Sequence, residues 1–233
     1  MNPYLATLLT FAIAIFFLRL MDFCAQRGWI ESKLSRKFIH IGTGPIYVLC
    51  WLMYPDLPLS RWLASLVPLL ITTQFALVGT GILKDEAAVK AMSRTGDRSE
   101  LLRGPLFYGL VFVAVTLLYW KDSLIGIPAL MMMCGGDGIA EIVGRRVNSM
   151  KLPWSREKSL AGSLSVFLGG WLLTMFIFAV YVWVEVFGGP VTRFLLPVTW
   201  IALGAMLVES LPFRDVDNIT LTVVSALIGH LVF

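Results

Sequence analysis

Eight apolar runs of about membrane-spanning length constrain this chain more than any other feature of its sequence. They lie at about residues 3–23, 37–54, 61–83, 105–120, 123–144, 159–187, 191–211 and 217–233. A transmembrane helix needs about 20 mainly apolar residues, because lipid offers its backbone no other hydrogen-bond partners. Of the 233 residues, 58% are hydrophobic and 15% charged, which excludes a soluble globular domain. No repeat or linker divides the chain. We therefore expect residues 1–233 to form one all-α, polytopic membrane bundle of about eight transmembrane helices, with seven as the alternative count.

Lysine and arginine residues give an independent test of this topology. Sixteen of the nineteen fall beside the odd-numbered loops, and only Arg61, Lys121 and Arg193 fall opposite. The positive-inside rule then predicts that the odd loops are cytoplasmic and that both termini are non-cytoplasmic. The sixteen are Arg19, Arg27, Lys33, Arg36, Lys37, Lys84, Lys90, Arg94, Arg98, Arg103, Arg145, Arg146, Lys151, Arg156, Lys158 and Arg214. The formal charge of +4 is thus a topology signal and does not call for a nucleic-acid partner.

The remaining sequence signals bear on location. Cys24, Cys50 and Cys134 are isolated, so neither a disulfide framework nor a zinc site is indicated. The first apolar run is too long for a secretory signal peptide and lacks its flanking signals. Because no Arg/Ser-rich transit segment precedes that run, we expect a bacterial plasma membrane or a cyanobacterial thylakoid rather than an imported plastid protein.

Two carboxylates lie inside the fifth apolar run. Asp137 and Glu141 are four residues apart, which places them on one face of a helix, about one turn from each other. Charged groups within a membrane are costly, and they usually mark a functional site. Nearby glycines leave room for close approach to the backbone. The pair predicts a site for a cation or for a ligand that carries cations; a polar helix-packing contact and the ion path of a transporter are the alternatives.

Further polar residues gather near the predicted cytoplasmic ends of other spans. They are Arg36, Lys37 and His40, then Arg145 and Arg146, then Lys158 and Ser159, and finally Glu209, Asp215, Asp217 and Asn218. Helices that meet at one membrane face would bring them into one site. Mg²⁺ takes carboxylate and phosphate oxygens, while Lys and Arg neutralise the remaining phosphate charge. The set therefore indicates phosphoryl or nucleotidyl transfer to a lipid, although no Gly-Lys dipeptide of a Walker A loop is present.

Several stretches, in order along the chain, resemble the phytol kinase and farnesol kinase family of plants and cyanobacteria. They are Arg36–His40, Ser93–Asp97, Glu100–Leu106, Gly135–Arg146, Lys151–Pro153, Lys158–Ser163, Glu209–Pro212 and Asp217–Asn218. The resemblance implies a membrane kinase that transfers the γ-phosphate of CTP, or of another nucleotide, to the primary hydroxyl of a free prenol such as phytol, geranylgeraniol or farnesol. More distant relatives would be dolichol kinase, diacylglycerol kinase and phosphatidate cytidylyltransferase. These remain alternative activities, and an ion-coupled transporter is the non-enzyme alternative.

The resemblance and the residue chemistry together give each candidate a role. Expected Mg²⁺ ligands are Asp137, Glu141, Glu209, Asp217 and Asn218. Expected nucleotide-binding residues are Arg36, Lys37, Arg145, Arg146, Lys158, Ser159 and Gly162. Expected catalytic residues are Asp137, Glu141, Lys158 and His40, with His40 or an acid such as Asp137 accepting the alcohol proton. The nucleotide would arrive from the cytoplasm and the prenol from the bilayer. The many Leu, Phe and Met residues do not locate the groove for its tail.

Overall fold

A computed structural model describes residues 1–212 and 216–233, with the side chain of Arg156 outside the description. The helices are α1 (Pro3–Gln26), α2 (Ser32–Cys50), α3 (Pro58–Thr80), α4 (Glu86–Met92), α5 (Gly104–Leu118), α6 (Gly126–Met131), α7 (Gly138–Arg146), α8 (Leu160–Trp183), α9 (Leu195–Glu209) and α10 (Asp217–Val232). Short 3₁₀ turns lie at Trp51–Met53, Arg98–Leu102 and Val191–Phe194. Two members of the sequence-predicted set, Arg214 and Asp215, fall outside the described residues.

The prediction of a helical membrane bundle is confirmed. Within the described ranges, six helical stretches are long and apolar enough to span a membrane: Pro3–Gln26, Pro58–Thr80, Arg98–Leu118, Gly126–Arg146, Leu160–Trp183 and Val191–Glu209. The other two predicted spans correspond to α2 and to α10, which is apolar but shorter. α2 is less apolar than its neighbours because one of its faces carries Arg36, Lys37 and His40.

The stretch Gly126–Arg146 is the most buried of the six spans and forms the centre of the bundle. Met131, Met132, Met133 and Cys134 are fully buried there, packed against α2, α8 and α10. Close packing depends on glycine: a Cβ at Gly170 of α8 would lie 2.3 Å from the sulfur of Met132. By contrast, α1 is the least buried span, and it packs on the outside of α2 and α3.

This central span is not one regular helix. Residues Met132–Asp137 form a π-helical turn between α6 and α7. A π turn contains one more residue than an α turn, and such bulges often occur at functional sites. The 3.6-residue spacing therefore does not hold between Asp137 and the residues of this turn that precede it. It does hold from Gly138 onward, so Asp137 and Glu141 remain one turn apart.

The connections at the basic end of the bundle have structure of their own. The short helix α4 lies between α3 and α5, and the Asp85 carboxylate caps it by accepting the amide hydrogen of Ala88 at 2.9 Å. An antiparallel hairpin of β1 (Lys151–Leu152) and β2 (Ser155–Ser159) joins α7 to α8. No pattern in the sequence indicated this hairpin, which places Lys158 directly before the N-terminus of α8.

Candidate active site

One cavity of about 1080 Å³ connects the basic end of the bundle with its interior. Around Asp137, Glu141, Lys158 and Glu209 it is lined by charged side chains, and we call this part the charged chamber. Seven Lys or Arg residues and six Asp or Glu residues line it among those described. The cavity then continues between α1, α2, α3 and α5, where we call it the apolar arm. Thr10, Ala14, Tyr47, Cys50, Val67 and Phe112 line the arm, together with other residues.

Asp137 lies where the chamber meets the arm. The π turn carries its carboxylate to α2, where Oδ2 is 3.3 Å from Nε2 of His40. The same nitrogen lies 3.2 Å from the carbonyl oxygen of Met133. On the other side, Tyr108 of α5 donates its hydroxyl hydrogen to the His40 carbonyl at 2.6 Å, and its ring lies 4.5 Å from the imidazole. The His40 side chain is thus held between Asp137 and Tyr108.

Glu141 is neutralised by bases from two helices. Lys37 of α2 forms an ion pair with Oε2, and Arg145, one turn further along α7, pairs with Oε1 at 2.9 Å. The i, i+4 spacing and the position of Arg145 in the last turn both favour the second contact. Arg145 is 62% exposed at the chamber's rim, whereas Lys37 is buried. The charge of Glu141 is therefore compensated without a ligand.

Lys158 pairs with carboxylates from two other helices. Its Nζ is 2.5 Å from Oε1 of Glu209, at the end of α9, and 3.9 Å from Oδ2 of Asp217, at the start of α10. Burial acts to lower the pKa of this ammonium, but the carboxylates of Glu209, Asp217 and Asp137 outweigh burial and raise it above the usual value. The ammonium consequently stays charged at neutral pH, a positive centre among three acids.

The N-terminus of α8 also faces the chamber. Ser159 caps it, since its Oγ accepts the amide hydrogen of Gly162 at 3.2 Å. Both residues line the cavity. A helix N-terminus attracts anions through its free amides and its dipole. Together with Lys158, this end of α8 can contact a phosphate group.

The structure brings together nearly all of the sequence-predicted site. The cavity lining includes Arg36, Lys37, His40, Asp137, Glu141, Arg145, Lys158, Ser159, Gly162, Glu209, Asp217 and Asn218. Arg146 differs: it is exposed and lies outside this lining, because its position on α7 turns it away from Glu141. Two others are already engaged with the protein, since Arg36 donates to the Ser93 carbonyl at 3.0 Å and Asn218 donates to the Gly104 carbonyl at 3.2 Å.

Sequence reasoning left other lining residues without a role. They are Arg94, Glu100, Arg103, Tyr108, Lys151 and Glu157. Glu100 orders the loop before α5, because it accepts hydrogen bonds from the hydroxyls of Ser93 and Thr95, both at 2.8 Å. The family-like stretches Ser93–Asp97 and Glu100–Leu106 were a signal for this loop. Tyr108 lies just beyond them and had no comparable signal.

The donor set fits a metal that arrives with a nucleotide better than a resident ion. In the described ranges, no three His, Cys, Asp or Glu side chains lie close enough to hold a metal by themselves. Mg²⁺ bound with substrate phosphates needs only one or two carboxylates. Oε2 of Glu209 is buried and, among the described residues, has no hydrogen-bond partner. An unpartnered carboxylate oxygen of this kind suits a cation.

Fold and site together define a multi-pass membrane protein with a charged chamber at one end of its helices and an apolar cavity beneath it. Curated proteins that are similar to the chain over most of its length include the following three. A probable phytol kinase of Triticum aestivum is 38% identical over 230 residues, which cover 98% of this chain and 77% of that protein. A farnesol kinase of Arabidopsis thaliana is 42% identical over 213 residues, covering 89% and 68% respectively. A probable phytol kinase of Zea mays is 38% identical over 237 residues, covering 97% and 76%.

The chain therefore belongs to the phytol kinase and farnesol kinase family, as the sequence motifs predicted. The chain matches no family model, and no solved structure matches it. The names of the three relatives place them in chloroplasts. The expectation of a bacterial or cyanobacterial membrane gains no support from them.

Proposed function

We propose that this protein is a membrane prenol kinase that transfers the terminal phosphate of CTP to the primary hydroxyl of a free prenol and releases the prenyl monophosphate. The observation that carries this proposal is the continuous cavity, which joins a charged chamber to an apolar arm with Asp137 at their junction. A phosphorylated nucleotide requires the first part and a hydrocarbon tail the second. The names of the relatives, phytol kinase and farnesol kinase, support a kinase that acts on a prenol.

Nucleotide binding is proposed to exchange the ion pairs of the chamber. Lys37 and Lys158 now neutralise Glu141 and Glu209. Phosphate oxygens bind these ammonium groups in their place, with help from Arg145 and the N-terminus of α8. The released carboxylates, together with Asp137 and Asp217, would hold a Mg²⁺ ion that arrives with the nucleotide, and that ion would neutralise phosphate charge. Positioning and charge neutralisation of this kind supply most of the catalysis in phosphoryl transfer.

Asp137 is the proposed acceptor of the alcohol proton. The Nε2 atom of His40 has two neighbouring acceptors, the Asp137 carboxylate and the Met133 carbonyl. A ring nitrogen between two acceptors carries hydrogen and donates it, so Nε2 of His40 is not the atom that takes the alcohol proton. His40 therefore orients the carboxylate. As the prenol oxygen bonds to the γ-phosphorus, the bond from that phosphorus to the β-phosphate oxygen breaks, CDP leaves, and the hydroxyl proton passes to Asp137.

The test is a nucleotide and alcohol panel with the purified protein in lipid nanodiscs. CTP, ATP, UTP and GTP, each labelled at the γ-phosphate, are supplied with Mg²⁺ and with phytol, geranylgeraniol, farnesol, a dolichol or diacylglycerol. We expect labelled prenyl monophosphate, formed fastest with CTP. Absence of any labelled lipid would refute the kinase proposal. Labelled pyrophosphate released with phosphatidate would instead identify a cytidylyltransferase.

Gly138 offers a test of the spacing between α2 and α7. A Cβ on this residue would lie 2.4 Å from Cγ1 of Ile41 and 3.1 Å from Cδ2 of His40. Gly138→Ala must therefore push α2 away and lengthen the His40–Asp137 contact. We expect kcat for prenol phosphorylation to fall roughly tenfold to a hundredfold, the cost of a small misplacement. Gly188→Ala is the control, because no described atom lies within 4 Å of its added Cβ. An unchanged kcat in Gly138→Ala would contradict the role of this spacing.

A further inference from the structure

We infer that the apolar arm holds the prenol tail as one extended chain and that its closed end limits the length of prenol accepted. This inference rests on the kinase activity proposed above and assigns a second part of the cavity to the same substrate. The arm begins beside His40 and Tyr108, where the hydroxyl must lie to reach Asp137. It ends where Thr10 of α1 and Cys50 of α2 meet.

One face of α2 sets the length of the cavity. Arg36, His40, Thr43, Tyr47 and Cys50 line it in turn, at the three- and four-residue spacing of a single helix face. Cys50 lies fourteen residues after Arg36, which corresponds to about 21 Å of helix. The hydrocarbon core of a bilayer is about 30 Å thick, so this length is roughly two thirds of that thickness. A tail that starts at His40 therefore lies within the membrane interior.

The hydroxyl groups that line the arm already have hydrogen-bond partners within the protein, so the arm does not require a polar ligand. Its hydroxyl groups are already bonded to backbone carbonyls: Thr43 to Ile39 at 2.6 Å, Thr72 to Pro68 at 2.6 Å and Thr10 to Ala6 at 2.8 Å. The Tyr47 hydroxyl donates to the Ala64 carbonyl at 3.0 Å. Aliphatic and aromatic side chains supply the rest of the lining. A saturated or unsaturated hydrocarbon fits such a surface, whereas a second polar substrate would leave its own groups unpaired.

Close helix contacts bound the arm on several sides. A Cβ at Gly109 of α5 would lie 1.9 Å from Oγ1 of Thr72 on α3, and one at Gly44 of α2 would lie 2.6 Å from the sulfur of Cys134. On the membrane side, a Cβ at Gly42 would lie 2.5 Å from the Phe17 ring of α1. The arm is thus bounded by helix pairs already in contact.

Aromatic residues close the arm below Cys50. Trp51 is fully buried, and its ring lies 5.7 Å from that of Tyr47 and 5.3 Å from that of Trp120. Tyr54 packs against the same Trp120 ring at 5.8 Å. Burial of so many aromatic rings makes this floor rigid. A prenol that exceeds the arm's length must therefore leave its hydroxyl displaced from Asp137.

A second groove is the rival place for a tail. It has a volume of about 470 Å³ and is lined by Trp154, Leu207, Val208 and Val224 among others. None of its lining residues belongs to the cavity that contains Asp137. A prenol whose tail lay in this groove could not reach the chamber through the arm.

The test shortens the arm with one substitution. Ala14 of α1 lines the arm one helical turn from Thr10 towards the chamber, so Ala14→Phe fills the cavity above its floor. Farnesol and geranylgeraniol, which differ by one isoprene unit, are supplied together with labelled CTP. We expect the ratio of kcat/KM for farnesol to that for geranylgeraniol to rise at least about tenfold. The matched control is Ala12→Phe, on the exposed face of the same helix, which should leave the ratio unchanged.

The outcomes separate this inference from the proposed function. If the unmodified protein phosphorylates neither these two alcohols nor phytol, the kinase proposal fails. If it phosphorylates both and Ala14→Phe leaves the ratio unchanged, the tail assignment is wrong while the kinase proposal stands.

A second measurement needs no variant. Geranylgeraniol with a diazirine at the end remote from its hydroxyl is photolysed in the unmodified protein. We expect labelled peptides that contain Thr10, Cys50 or Val67. Labelling confined to the groove around Leu207 and Val224 would overturn the inference.

Discussion

Asp137→Asn should lower prenol phosphorylation by roughly a thousandfold while the protein remains folded. Asparagine keeps the size of the side chain and can still accept the hydrogen bond from His40, which is 3.3 Å away. It loses the negative charge, and with it the capacity to take the alcohol proton or to bind Mg²⁺. The loss should therefore appear in kcat, with little change in the apparent affinity for the prenol. Single-turnover assays with labelled CTP measure it directly.

A matched exchange shows whether this loss is local. Asp122→Asn makes the same substitution at an exposed residue in the connection between α5 and α6, outside the cavity lining. It should retain full activity. Size-exclusion profiles and melting temperatures of both variants should match those of the unmodified protein. Substantial turnover by Asp137→Asn would remove this carboxylate from the reaction and favour His40 or another acid as proton acceptor.

Lys158→Met should damage both stability and activity. The substitution removes the positive charge that pairs with Glu209, whose side chain is only 6% exposed. Breaking a buried ion pair in this way costs about 3–5 kcal/mol in the free energy of unfolding. The variant also loses the ammonium proposed to bind phosphate. We expect a lower melting temperature in detergent and phosphorylation reduced by a hundredfold or more, in the range of about 10²–10³ for loss of a charge-stabilising group.

The double variant Lys158→Met with Glu209→Gln separates these two effects. Removing both charges eliminates the unpaired buried carboxylate, so most of the lost stability should return. Activity should not return, because the phosphate ligand is still missing. Recovery of turnover along with stability would indicate that Lys158 only maintains the fold. Thermal melts and initial rates on the same preparations decide between the two.

The outline of the fold and most of the site could be predicted from the sequence. Apolar runs of membrane length identify the spans because lipid imposes one physical requirement on all of them. The alternation of basic loops placed Arg36, Arg145 and Lys158 on one face, and the structure brings these residues to one chamber. The predicted cytoplasmic orientation of that face stays a prediction.

Other features depend on contacts between distant residues, which periodicity does not reveal. The π turn at Met132–Asp137 follows no spacing rule, and it decides that Asp137 contacts His40. Tyr108 has an ordinary helical position, so only the fold reveals its contact with His40. The pairing of Lys158 with Glu209 joins residues 51 positions apart. The apolar arm was equally hidden, because its lining resembles any buried or lipid-facing helix surface.

The gathering of charged side chains at one end of the bundle also gives the proposed reaction a sidedness. A free prenol carries no charge and can move between the two leaflets, whereas a phosphate monoester carries charge that the hydrocarbon interior strongly disfavours. Each turnover would thus convert a lipid shared by both leaflets into one retained in the leaflet that the chamber faces. The same arrangement that binds the nucleotide would then determine where later enzymes encounter the product.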